Sequence, residues 1–373
     1  MLGILIFALL LSLLYTVASL IGLKKTIQEK TLLRSINEPV ISVLKPLCGS
    51  DDKLEDNLKS FFEQDYSHYE LVFGVQDPND SAIPVVKALM DRFPKVDALI
   101  HIHSGGTTLN PKVANLIGIS GVAEGEILVI SDSNVSVPSH YLASSLAHLE
   151  EEGVGLVTHV LRGKGEKSLG SMLNSIQMNG YTAPSVGITN LNKRPFVIGK
   201  SIVFRKKNFE KLGGFSNLGN VLAEDYILGR TFLAAGYKIV VDNCLVDDVT
   251  THMSVGAFWK RNARWALIRS KLKPLAYPFE VLTYPIFMGV LLGLVSASYL
   301  PLLVGLSVTV GRDMIAWSML RGHKKLLKVG LLSPLKELLL IAIWASAPFN
   351  GRVQWRKTQV YVSAGTRIYG RIN

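Results

Sequence analysis

The chain opens on an unbroken apolar run. Residues 1–23 contain no charged side chain, and Lys24, Lys25, Lys30 and Arg34 follow them. A helix of about 20 apolar residues spans the hydrocarbon core of a bilayer. A cleaved signal peptide carries its basic residues before a shorter apolar core. Here they come after, which predicts a retained anchor with the next segment in the cytosol. From residue 39 to about 273 the pattern changes to short β-branched runs at 41–44, 70–75, 98–101, 127–131 and 155–159, with helical stretches between them. That alternation predicts an α/β domain with a mainly parallel sheet covered on both faces. Ligands of such sheets lie beyond the carboxyl ends of the strands.

Beyond Pro278 the chain turns apolar again, and residues 281–311 carry no charge. The run is long for one span and short for two. Pro301 is placed to turn a helical hairpin whose second arm reaches Leu320 and carries Arg312 and Asp313, expected near the outer interface. Charges inside a span are costly unless paired. A last apolar stretch, 338–347, follows Lys336 and Glu337 and is too short to cross, so it reads as interfacial or re-entrant. The basic loop 321–328 and the tail after Gly351 both favour the cytosol, which agrees with a segment that does not cross. The predicted order is an anchor (1–23), a cytosolic domain (24–273) with an amphipathic helix at 256–271, a membrane hairpin (279–320), an interfacial segment (331–349) and a basic tail (350–373).

Charge sharpens this picture. The formal charge is +11, and much of the excess flanks the apolar segments, including Lys324, Lys325, Lys328, Arg352, Arg356, Lys357, Arg367 and Arg371. Basic flanks favour anionic headgroups. No basic run interleaved with aromatics occurs elsewhere, so nucleic acid is not an expected partner. Cys48 and Cys244 are the only cysteines, which implies no disulfide framework and suits a reducing compartment.

Four places carry candidate chemistry. The run 70–75 ends in Gln76-Asp77. A carboxylate there is placed to accept hydrogen bonds from uracil or ribose, although Asp-Pro-Asn-Asp also makes a turn by itself. The run 127–131 ends in Asp132-Ser133-Asn134. Asp132 would hold a divalent cation, Mg²⁺ or Mn²⁺, that bridges diphosphate oxygens; a turn or helix cap is the plainer alternative. Glu224 and Asp225 begin a helical stretch. Acids there complement the helix dipole, and Asp225 is also a candidate general base, with Glu224 a cap. Finally, FWKRNARWALIR (258–269) precedes the apolar end. Such a basic and aromatic helix reads as interfacial, with the sharper option that its arginines bind a departing diphosphate and Trp265 walls an acceptor site.

In this order and spacing, these elements resemble the inverting glycosyltransferases of GT-A fold. More closely, the chain resembles the ceramide glucosyltransferase family and its bacterial relatives, including hopanoid-associated transferases. The matching stretches are SVLKPLCG (42–49), FFEQDY (61–66), VQDPND (75–80), NPKVANL (110–116), DSN (132–134), VGLVTHV (154–160), GKSIVFRK (199–206), GGF (213–215), AEDY (223–226), RNARW (261–265) and WRK (355–357). The resemblance implies Asp77 at the nucleoside, Asp132 at the metal and diphosphate, and Asp225 as catalytic base. It also implies Lys112 near the nucleotide, with Arg261, Arg264 and Trp265 as the arginine–tryptophan signature. Many GT-A enzymes carry a second acid two residues after the first; here that residue is Asn134, which ligates without charge.

The implied reaction moves one sugar, glucose from UDP-glucose being the leading choice, onto a membrane lipid hydroxyl such as that of ceramide. N-acetylglucosamine to a hopanoid and a hexose to diacylglycerol fit the same pattern. A processive polysaccharide synthase shares much of the motif set but needs more membrane helices than three. A lipid-binding scaffold without activity is the remaining rival, and the three aspartates with RNARW speak against it.

Overall fold

The computed structural model describes residues 2–29, 38–104, 106, 108–355 and 358–372. Lys30, Arg34, Arg356 and Lys357 lie outside the described residues. Contacts divide the chain into two compact units that do not follow sequence order. One comprises Thr26–Lys164 and Asn192–Val249; the other comprises Met1–Lys25, Gly165–Leu191 and Thr250–Asn373.

The first unit is built on an eight-stranded sheet. Its strands are β1 (Ile41–Pro46), β2 (Tyr69–Val75), β3 (Asp97–Ile102), β4 (Ile127–Ser131), β5 (Val135–Ser136), β6 (Val154–Lys164), β7 (Ser201–Arg205) and β8 (Lys238–Val249), in the order β3-β2-β1-β4-β7-β6-β8-β5. β3, β2, β1 and β4 are parallel, so their carboxyl ends share one edge. β7 runs antiparallel to both β4 and β6, and the short β5 antiparallel to β8, so the sheet is mixed. The expectation of a mainly parallel sheet holds for the β1–β4 half; the run Ser201–Arg205, outside the expected strands, inserts antiparallel.

The sequence dictates the central strands directly. β4, ILVIS, is buried along its whole length, as a β-branched run covered on both faces must be. Leu44, Val72, Leu128, Ile130, Leu156, Ile202, Phe204 and Phe232 share one apolar cluster. A buried carboxylate fastens the amino ends: Glu70 accepts from the Ser42 hydroxyl at 2.5 Å and the Glu124 amide at 2.6 Å. At the opposite edge the Asn115 amide donates to the carbonyls of Leu47 (3.2 Å) and Gly74 (2.9 Å), which ties the ends of β1 and β2 together.

The second unit is mainly helical. Two of its helices are long and apolar enough to cross a membrane, Leu2–Gln28 and Leu300–Arg321. The segments Tyr277–Thr283 and Pro285–Ser296 together would supply a third crossing, bent by 85°. The first helix is apolar outward: Ile4, Phe7, Leu10, Leu14 and Val17 are exposed, whereas Ser12, Thr16 and Ser19 are buried. That is the pattern of a helix solvated by lipid, since burial of apolar groups gains nothing against hydrocarbon while small residues permit close packing. It crosses the helix Ala183–Leu191 at a pair of glycines. A Cβ on Gly187 would stand 2.2 Å from the Leu23 nitrogen, and one on Gly22 2.5 Å from the Gly187 carbonyl carbon. Gly187→Val should therefore force the helices apart and destabilise the detergent-purified protein by about 1–3 kcal/mol. Gly3→Ala, where nothing lies within 4 Å, should not change the denaturation midpoint. Equal midpoints for the two variants would contradict this crossing.

The last apolar stretch belongs to a longer helix, Leu326–Ser346, with Pro334 inside it. Arg312 and Asp313, expected near an interface, are instead buried together with Lys336 and Glu337. Arg312 pairs with Asp313 at 3.0 Å and Glu337 at 3.1 Å, while Lys336 donates to Asp313 at 2.6 Å. The Thr309 hydroxyl (3.0 Å) and the Ile286 amide (2.9 Å) complete the Glu337 carboxylate. Two positive and two negative groups thus neutralise one another out of water. The stretch 350–373, read from sequence as a basic tail, carries a three-stranded antiparallel sheet over Arg352–Trp355, Thr358–Val362 and Ile368–Ile372.

Candidate active site

The site grows from the carboxyl edge of β4. Asp132 is the first residue past the strand, and a lysine takes each of its two oxygens. The Lys112 ammonium lies 2.9 Å from Oδ1 and that of Lys200 3.4 Å from Oδ2. Burial pushes the Asp132 carboxyl up, but Lys112 and Lys200 outweigh it and hold the group well below the usual carboxylate range. Asp132 is therefore ionised at any pH at which the protein would be assayed.

Local helix chemistry sets Lys112. Asn110 caps the helix Pro111–Ser120, its side chain accepting from the amides of Lys112 (3.0 Å) and Val113 (3.2 Å). Proline at the first position loses an amide that had no helical partner anyway. Lys112 then projects from the first turn and donates to the Gly199 carbonyl at 3.0 Å besides contacting Asp132 and Glu224, the latter at 3.2 Å. Burial disfavours its ammonium, yet Asp132, Glu224 and Asp225 prevail and keep it firmly protonated.

Glu224 and Asp225 open the helix Glu224–Ala234. Glu224 is buried, and burial together with the neighbouring Asp225 raises its carboxyl despite Lys112. Asp225 has one oxygen on the Gly199 amide (2.7 Å) and the other on the Tyr226 amide (2.7 Å). Gly199 lies between the two groups: a Cβ there would meet the Lys112 ammonium at 2.9 Å and Asp225 Oδ2 at 3.1 Å. Glycine at 199 is what lets Asp225, Lys112 and the strand end converge.

Asp77 follows β2 at the same edge of the sheet and is exposed. Its Oδ1 accepts from the Asn79 amide at 2.9 Å, so it does form the turn that its neighbours favour, with its remaining lone pairs open to a ligand. Arg261, Arg264 and Trp265 belong to the other unit, on the helix Val255–Leu272, which Ser254 caps at 3.0 Å from the Ala257 amide. Phe258, Asn262, Ala266, Leu267 and Ser270 form its buried face. The Arg261 guanidinium lies 4.9 Å from the centre of the Trp265 ring, a cation–π pair one turn apart. Three of the expected residues, Lys112, Asp132 and Asp225, thus meet in one cluster.

Two members of that cluster carried no role in the sequence reading, Lys45 and Lys200. The Lys45 ammonium reaches the Asp132 carbonyl at 2.8 Å and sits 3.7 Å over the Phe61 ring; burial pushes it well below the usual lysine value. Lys200 precedes β7, and the pairing of Ser131 with Ser201 sets it beside Asp132 across the sheet. Its sequence signals are its place before a β-branched run and within GKSIVFRK (199–206), neither of which assigns it a role.

The oxygens expected to hold a divalent cation are already occupied by the protein. Asn134 Oδ1 accepts from Lys200 at 2.5 Å, and Asn134 Nδ2 donates to the buried Asp248 at 2.7 Å. Among the described residues no group of three or more acidic, histidine or cysteine side chains converges on one point. As arranged, this donor set does not fit a divalent ion.

The folded chain is similar to a solved mannosyltransferase from Pyrobaculum calidifontis, determined with GDP-Man and Mn²⁺, at a TM-score of 0.56 and 18% identity, over 94% of this chain and 99% of that one. That likeness establishes a GT-A-like mixed α/β fold. Ceramide glucosyltransferase 3 of Caenorhabditis elegans is 30% identical over 88% of this chain and 74% of its own length. Ceramide glucosyltransferase 1 of the same organism is 28% identical, over 75% of this chain and 60% of its own length. The family model described as glycosyl transferase family 21 matches residues 4–368, nearly the whole sequence, and with it the chain is a ceramide glucosyltransferase-like member of that family.

Proposed function

We propose that the protein transfers a single sugar from a UDP-sugar, glucose first, to the hydroxyl of a membrane lipid, ceramide first, at the cytosolic face. The observation that carries this reading is the convergence of Asp132, Lys112 and Asp225 at one sheet edge, with Asp225 backed by two amides. The names of the relatives support the sugar and the lipid. The apolar helix Leu2–Gln28, followed by Lys24 and Lys25 near its end, supports anchoring with the sheet domain in the cytosol.

In this reading the uridine lies at Asp77 and the diphosphate crosses the carboxyl edge toward Lys112. Arg261, Arg264 and Trp265 serve the diphosphate and the acceptor. The lipid hydroxyl gives its proton to Asp225 while its oxygen forms a bond to the anomeric carbon. The carbon–oxygen bond to the diphosphate breaks on the opposite side, and UDP leaves with the electron pair. One displacement inverts the anomeric centre, so no enzyme nucleophile is required. The divalent cation expected at Asp132 could enter only if the Lys200 ammonium withdrew, so no step above depends on it.

The test is mass spectrometry of lipids from cells expressing the chain, with an Asp225→Asn control. A lipid class carrying one added hexose, absent from the control, is the expected result. A hopanoid or diacylglycerol product would change the acceptor, and a polymer would make the protein a processive synthase. No lipid carrying an added sugar in either strain would count against the transferase reading, and the same sugar-bearing lipid in both would move the base away from Asp225.

A further inference from the structure

A leaving diphosphate needs positive charge at the end of β4, and the structure already has one there. The pairing of Ser131 with Ser201 puts residue 200 beside residue 132 through the backbone, before any side chain chooses a rotamer. The Lys200 side chain is 11% exposed, and its ammonium contacts Asp132 Oδ2 (3.4 Å), Asn134 Oδ1 (2.5 Å) and Asp248 Oδ1 (3.1 Å). Those are the oxygens that a cation at this place would take. Asn134 cannot present its amide the other way round, because Nδ2 would then face an ammonium and Oδ1 would face the Asp248 carboxylate.

Charge points the same way. Asp132 and Asp248 bring two negative charges, and Lys112 and Lys200 bring two positive ones. A divalent ion on these same oxygens would lie against the Lys200 ammonium unless that lysine moved out.

We propose that the Lys200 ammonium takes the place of the divalent cation in this chain, donating to the diphosphate oxygens as UDP leaves, so that donor binding does not require a metal. The lysine acts by its charge and its hydrogen bonds alone. This proposal rests on the sugar-nucleotide reading above, and its test separates the two.

The full chain in detergent is titrated with Mn²⁺ alone, following the electron paramagnetic resonance signal of the free ion, for wild type, Lys200→Met and Lys200→Ala. Lys200→Met keeps the apolar stem, and thermal unfolding confirms that each variant is folded. UDP is then titrated calorimetrically with EDTA or with Mn²⁺. Wild type should bind Mn²⁺ at least about tenfold more weakly than either variant, and its UDP affinity should differ by less than about threefold between the two media. The variants should lose about tenfold in UDP affinity in EDTA and regain it with Mn²⁺. Wild type that binds Mn²⁺ as tightly as the variants, or whose UDP affinity rises about tenfold with Mn²⁺, overturns the proposal. A folded wild type that binds no UDP in either medium contradicts the sugar-nucleotide reading instead, and the Mn²⁺ titration still decides the place of Lys200.

Discussion

Asp225→Asn should lower the turnover of sugar transfer by about 10²–10⁴-fold, the usual contribution of a positioned general base. Its effect on UDP affinity should be small. The two carboxylate oxygens are held by separate backbone amides, those of Gly199 and Tyr226, each at 2.7 Å. These bonds fix the direction of the remaining lone pairs, which would take the proton of the acceptor hydroxyl. Asparagine matches the size of aspartate and can keep one of the bonds, so the fold around Gly199 and Lys112 should survive while the base is lost. An interaction used only in the reaction shows itself as a fall in kcat with donor binding intact. Radiolabelled transfer and UDP calorimetry on the same preparation measure both. Near wild-type transfer by Asp225→Asn would assign the base elsewhere, with Glu224 the neighbour to test next.

The largest expected effect on stability lies in the buried charges of the helical unit. Lys336→Met removes the partner that contacts Asp313 at 2.6 Å and leaves a single positive group, Arg312, between two buried carboxylates. Breaking a buried ion pair costs about 3–5 kcal/mol, because the surviving charge is out of water without compensation. Asp313→Asn should cost a similar amount for the opposite reason, an excess positive charge. The double variant restores neutrality, with Arg312 still on Glu337. It should be less destabilised than the sum of the two, with a coupling of about 0.5–3 kcal/mol. Denaturation in detergent of the wild type, both single variants and the double variant gives the cycle directly. Additive losses, or single variants as stable as wild type, would mean that water or lipid headgroups already compensate these groups.

The two halves of the sheet differ in how readable they were. β1, β2 and β4 are buried apolar runs, and each carries its own signal, including the aspartates that follow β2 and β4. β8 was hidden because Asp242, Asp247 and Asp248 interrupt its apolar run, and these acids are buried against partners that only the fold supplies. Ser144, for instance, donates to Asp242 at 3.0 Å from 98 residues away in sequence. β7 is a five-residue run whose antiparallel direction nothing local encodes.

The same distinction explains the site. Asp77, Asp132 and Asp225 were legible because each ends or begins an element, where a polar group is conspicuous. Lys112 came only from the family resemblance, and its cause is now visible in the Asn110 cap and the Gly199 carbonyl. Lys200 lies within a stretch that carries the family resemblance yet had no legible role, because its place beside Asp132 depends on a strand register. The charges at 312, 313, 336 and 337 looked like two separate exceptions to apolar segments. They form one neutral cluster because two helices bring them together, which hydropathy along the chain does not record.

The central claim is a single inverting transfer from a UDP-sugar to a lipid. Its most direct test uses the full chain reconstituted in nanodiscs containing ceramide and supplied with UDP-α-glucose, with the lipid product analysed by mass spectrometry and proton NMR of the anomeric centre. The expected product is ceramide bearing one β-linked glucose, formed by wild type and absent with Asp225→Asn. An α-linked product, a chain of several sugars, or hydrolysis of UDP-glucose with no sugar on any lipid would contradict it.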